Sequence, residues 1–154
     1  MKTRMFVLTM ALCFVAVAVS FASNPEMGTW KLNEAKSKLA PGATKNNTVV
    51  YEAVGDKVKV TVDGIAGDST PRHSEWIGKF DGKDYPVTGD PGNDARAYKK
   101  INDHTLELTN KKGGKVVSSG TAVVSADGKT RTVSLSSVSA NGTTVKNTAV
   151  YEKQ

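Results

Sequence analysis

Beyond residue 27 the chain alternates apolar and polar side chains in short runs, separated by turns rich in glycine, asparagine and aspartate. The cleanest run is 57–63, where Val58, Val60 and Val62 share one face and Lys57, Lys59, Thr61 and Asp63 the other. Leu106 with Leu108 and Trp30 with Leu32 repeat the pattern. A period of two means one buried and one wet face, as in an antiparallel sheet. Turn signals fall at Gly55-Asp56, Asp63-Gly64, Asp81-Gly82, Gly89-Asp90-Pro91-Gly92-Asn93-Asp94, Asn102-Asp103, Gly113-Gly114, Asp127-Gly128 and Asn141-Gly142. Such residues accept positive φ and favour tight hairpins between twisted strands. Ten strands are predicted, at 28–33, 46–54, 57–63, 72–80, 83–87, 95–102, 105–111, 115–126, 130–140 and 143–152. Ser136-Ser137 breaks the alternation between Leu135 and Val138, which predicts a β-bulge. No helical period stands out, and 33–39 can form one or two turns before Pro41-Gly42 ends them. The expected fold is all-β: a single up-and-down antiparallel β-barrel of about 8–10 strands, with at most one short helix after the first strand.

The first 22 residues read differently. Lys2 and Arg4 precede an apolar run from Phe6 to Val19, and Ser20-Phe21-Ala22 offers small residues at −3 and −1 of a cleavage site. The run is short for a membrane span and fits a secretory signal peptide cut after Ala22. The expectation is therefore a signal peptide at 1–22, a single barrel domain at 23–154, and no transmembrane segment after cleavage. Export places the protein in the periplasm or outside the cell. Cleavage would remove Cys13, the sole cysteine, so no internal disulfide could staple the domain. It would also remove Lys2 and Arg4 from 21 basic residues, leaving 19 against 15 acidic ones and a net charge of +4. That modest excess favours an anionic lipid or glycan surface, or plain solubility, over nucleic acid.

Two segments frame the barrel and carry a resemblance. Gly28-Thr29-Trp30-Lys31-Leu32 is similar to the opening strand of fatty-acid-binding proteins and to the Gly-x-Trp motif of lipocalins. Val150-Tyr151-Glu152 is similar to the closing Arg-x-Tyr-Glu strand of fatty-acid-binding proteins. The chain thus resembles the calycin superfamily, closest to bacterial exported proteins with a lipocalin-like domain of unassigned function. The resemblance implies a barrel with an interior ligand site and Trp30 as the plug of its closed end, a basic side chain over its ring. It departs in two places. Ala149 occupies the position of the arginine that helps hold a ligand carboxylate, and 34–45 is too short for the usual lid of two helices.

Candidate ligand-binding residues are Trp30, Trp76, Phe80, Asn147 and Tyr151. Trp76 and Phe80 share a strand face with Ser74 and Gly78, as either core or pocket wall. Tyr151 points inward with Val145, Asn147 and Ala149, and Asn147 needs a hydrogen-bond partner there. Ser119, Thr121 and Ser137 add polarity to the predicted interior. His73 and His104 read as exposed turn or surface residues, and no His or Cys spacing supports a metal site. The 89–94 loop lacks the pattern of a calcium loop and reads as a polar turn. No nucleophile elbow, phosphate loop or dinucleotide fingerprint is present, so neither an enzymatic activity nor a cofactor is expected.

The expected function is non-enzymatic binding of a small hydrophobic or amphipathic molecule, such as a lipid, inside the barrel. The alternative is an envelope or extracellular interaction module, with Lys99, Lys100, Lys111, Lys112 and Lys115 against an anionic surface or a protein partner.

Overall fold

The computed structural model describes residues 24–139 and 141–154; the predicted signal peptide at 1–22 lies outside them. Ten strands form one closed barrel: β1 (Gly28–Leu32), β2 (Lys45–Val54), β3 (Lys57–Ile65), β4 (Pro71–Gly78), β5 (Tyr85–Thr88), β6 (Ala95–Asn102), β7 (Thr105–Lys112), β8 (Lys115–Val124), β9 (Thr130–Val138) and β10 (Thr144–Lys153). Each strand pairs antiparallel with its neighbours in sequence, and β1 closes the ring against β10. The seam is short, with Trp30, Lys31 and Leu32 opposite Lys153, Glu152 and Tyr151. A single turn of 3₁₀ helix at Glu34–Lys36, capped by the Asn33 side chain, is the only helical element among the described residues.

Alternation decides which residues go inside. Trp30, Val49, Tyr51, Val58, Val60, Trp76, Tyr98, Leu106, Leu108, Ala122, Val124 and Tyr151 are all buried in one continuous core. The contribution of β1 to that core is Trp30, its central residue. Trp30 is fully buried there, its Nε1–H donating to the Glu26 carbonyl at 2.8 Å, with the Lys153 ammonium 5.0 Å from the ring centroid. A cation over the face of an indole is attracted by the ring quadrupole.

Several local expectations need correction. The β-bulge predicted at Ser136-Ser137 is absent, because β9 runs in unbroken register with both β8 and β10. Ser137 simply faces the interior while Val138 is exposed. The register shifts lie elsewhere, opposite Asn110/Lys111, at Asn46/Thr48 and at Lys100/Asn102. The first leaves Val117 as an extra residue on β8 and flips every later side chain. Hence Ser118 lines the interior, whereas Ser119 and Thr121 are exposed. Asp63-Gly64 is not a turn but part of β3. A Cβ at Gly64 would lie 2.1 Å from the Lys45 carbonyl oxygen, so glycine is there for close strand approach beside a bulge. β4 stops at Gly78 instead of Phe80, and Phe80 packs against the core from the following loop. The last residue of the predicted 130–140 strand lies outside the described residues.

His73 is exposed on the outer face of β4, as expected, with its Nδ1 2.6 Å from Asp63 Oδ1 and its Nε2 3.8 Å from Glu75. The Asp63 hydrogen bond is the main reason its pKa rises above 6.5. A raised histidine pKa stabilises the fold fully below the unfolded value and loses that contribution as pH climbs through the folded one. An NMR titration is expected to place His73 above an unstructured histidine, and Asp63→Asn to bring it down. An unchanged midpoint in the variant would show that the contact is not made in solution. His104 departs from expectation. It is half-buried at the β6–β7 turn, and its Nδ1 has no hydrogen-bond partner.

Candidate ligand site

The half of the barrel on the side of residues 33–44 is hollow. A cavity of about 560 Å³ lies inside, capped by the strap 39–44 and by the 90–93 loop. The strap is held by backbone pairing of Lys38 with Thr148 and by the Asn147 side chain, whose Oδ1 accepts the Ala40 N–H at 2.7 Å. The hydrogen-bond partner that an inward Asn147 requires is thus supplied by the chain itself. Asp90 orders the other rim, accepting from Gly92 N–H and Asn93 Nδ2 while pairing with Arg72.

The cavity has two unlike walls. Leu32, Val49, Val133, Leu135, Val145 and Ala149, from β1, β2, β9 and β10, supply apolar surface, interrupted by Arg131 and Ser137 of β9 and by Asn147 and Tyr151 of β10. On β4, β6, β7 and β8, Arg72, Ser74, Arg96, Asn110 and Ser118 form a more continuously polar stretch. The difference follows from strand sequence, because β6 and β7 turn Arg96 and Asn110 inward where β9 turns Val133 and Leu135 between Arg131 and Ser137.

A chain of hydrogen bonds runs along the floor. Arg131 Nε donates to Glu26 Oε2 at 2.8 Å, and its Nη2 donates to the Tyr51 hydroxyl. Tyr51 lies 3.2 Å from the Tyr98 hydroxyl, which Arg96 approaches at 3.5 Å. Arg96 Nε then donates to Asn110 Oδ1 at 2.6 Å, and Asn110 Nδ2 to Ser118 Oγ at 2.9 Å. The Arg131 guanidinium also lies 4.9 Å from the Tyr51 ring centroid and 5.8 Å from that of Tyr151.

Burial sets the protonation of this network. It pushes the Glu26 carboxyl above its usual range against the opposing charge of Arg131. It raises the Tyr51 hydroxyl well above its usual value and that of Tyr151 to about 12. Burial works against the Arg131 cation too, yet Tyr51 and Glu26 hold it above the ordinary guanidinium range. At neutral pH Tyr51 and Tyr151 are therefore neutral hydroxyls and Arg131 a cation.

Of the five predicted ligand residues, Asn147 and Tyr151 line the cavity. Trp30, Trp76 and Phe80 lie outside it. Trp30 closes the packed end, while Trp76 packs its ring against Phe80, Tyr85 and Tyr98. Arg72, Arg96, Arg131 and Asn110 escaped prediction, although the alternation through Tyr98 and Leu108 already turned Arg96 and Asn110 inward. The predicted lysines occupy opposite ends of β7: Lys99 and Lys100 near one hairpin, Lys111, Lys112 and Lys115 at the other. Lys100 pairs with Asp103, and Lys111 with Asp84.

Among the described residues no group of three or more His, Cys, Asp or Glu side chains could hold a metal, and no helix is long and apolar enough to cross a membrane. No protein-family model matches the chain, and no curated protein sequence matches it.

Proposed function

We propose that this protein is an exported, non-enzymatic container of the calycin kind that binds a small amphipathic molecule inside its barrel. The observation that carries this reading is the cavity itself: about 560 Å³, lined by apolar side chains together with a few convergent polar ones. Ligand sites are concave, mostly apolar and furnished with a few convergent polar groups, and this interior has that character. An occupant with an apolar body and a polar end fits it better than a long plain hydrocarbon. The surface-module reading gains little, because the basic side chains divide between two ends and two of them are ion-paired.

Nile red, a neutral environment-sensitive dye, tests the container. It is expected to brighten and shift to the blue on binding, at a stoichiometry of about one per chain. Ala149→Trp, which fills the apolar wall, is expected to weaken dye binding by about tenfold or more, equivalent to at least ~1.4 kcal/mol. Native mass spectrometry of protein taken from its own host should also show a retained small molecule. No dye response together with no retained mass would sink the reading.

A further inference from the structure

Three arginines line the cavity, and only one of them lacks a carboxylate. Arg72 pairs with Asp90 at the rim, and Arg131 pairs with Glu26 at the floor. Arg96, only 9% exposed, has no acidic partner within ion-pair distance among the described residues. Its Nε is taken by Asn110, and its Nη1 makes one long contact to the Tyr98 hydroxyl. Arg96 lines the cavity, and its Nη2 makes no hydrogen bond among the described residues. A buried cation without a counter-ion is costly, and a terminal guanidinium edge matches the two oxygens of a carboxylate.

From this we infer that the ligand is a monoanionic amphiphile whose carboxylate docks on Arg96 at the polar wall while its apolar body lies against Val133, Leu135 and Ala149. The inference rests on the container reading and names the class of molecule contained. Arg96 suits the role because its neighbours fix it without neutralising it. Asn110 is itself anchored by Ser118, so the fork cannot swing away from the cavity. Arg131 is excluded from the same role because Glu26 already neutralises it and the Tyr51 hydroxyl takes its Nη2. The seam residue Ala149 contributes only apolar surface.

Three probes sharing one hydrocarbon chain decide the matter: decanoate, decan-1-ol and decylamine, each used below its aggregation threshold to displace Nile red near pH 7. Decanoate is expected to displace the dye at a concentration about tenfold or more below decan-1-ol, with decylamine the weakest. In Arg96→Gln the advantage of decanoate disappears while decan-1-ol is unchanged. Arg96→Lys keeps part of it, having the charge without the fork. The preference should fall only moderately with salt, because a single guanidinium on the wall of a half-open cavity makes the contact. Steep loss of decanoate binding with salt would transfer the anion to the surface lysines and overturn the inference. So would equal displacement by decanoate and decan-1-ol, or an Arg96→Gln variant that weakens both alike. If that variant does not fold, the ranking of the three probes on the native protein still decides. Failure of Nile red to bind at all sinks the container, a result distinct from a container with no preference for anions.

Discussion

Arg131→Met is expected to lower the stability of the barrel by about 3–5 kcal/mol at pH 8, because it leaves Glu26 buried without its counter-ion. For a domain of this size the loss corresponds to a fall in Tm of roughly 10–20 °C. The partners are 3% and 2% exposed through their side chains, so solvent screens them little. Glu26 Oε1 has no hydrogen-bond partner, which leaves Arg131 as the main support of that carboxylate. Removing it deepens the upward shift that burial already imposes on Glu26. The sign then follows from proton linkage. A carboxyl whose folded pKa exceeds its unfolded value of about 4.5 makes the folded state bind the extra proton. Stability therefore declines as pH rises from that value through the folded one, and the variant should be less impaired at pH 4.5 than at pH 8. The double variant Glu26→Leu/Arg131→Met should recover most of the loss, since hydrophobic replacement of a whole buried pair is often neutral or better. Urea denaturation followed by circular dichroism at the two pH values checks all three statements. A single variant as stable as the native protein would show that the pair is already broken in solution.

The architecture was legible because its signal is local and repeated. A period of two sorts Val58, Val60 and Val62 from Lys57, Lys59 and Thr61, and glycine-bearing turns mark most of the hairpins. The seam was legible as well, since Trp30 and Tyr151 bracket the chain and end up on paired strands. The cavity was not. Arginine in a strand reads as a surface residue by its charge, even where the alternation sets it on the inner face, as it sets Arg96 beside Tyr98. A single bulge at Val117 was enough to exchange Ser118 for Ser119 on the interior face. Pairings such as Glu26 with Arg131 span 105 positions, and no local pattern announces them. Aromatic residues mislead in the opposite direction. Trp76 and Phe80 suggested a pocket wall, but they pack into the core, and the rings that line the cavity are those of Tyr51, Tyr98 and Tyr151.

Trp76 therefore acts on the site from behind. Its Nε1–H donates to the Arg96 backbone carbonyl at 2.9 Å, and its ring stands edge-on to Tyr98 with centroids 4.8 Å apart. Trp76→Ala is expected to cost about 3–5 kcal/mol through lost burial and the cavity left among Phe80, Tyr85 and Tyr98. Trp76→Phe separates packing from hydrogen bonding. It keeps an aromatic ring but removes one donor from a buried carbonyl, for a loss of about 0.5–1.5 kcal/mol. Because that carbonyl belongs to Arg96, the phenylalanine variant should also loosen β6 at the polar wall. Decanoate binding is then expected to weaken several-fold while decan-1-ol binding holds, with Arg96 itself intact. Circular dichroism melts and the same dye displacement measure the two effects on one preparation. A Trp76→Phe protein with lowered stability but undiminished selectivity for the anion would confine Trp76 to the core and leave the orientation of Arg96 to Asn110 and Tyr98.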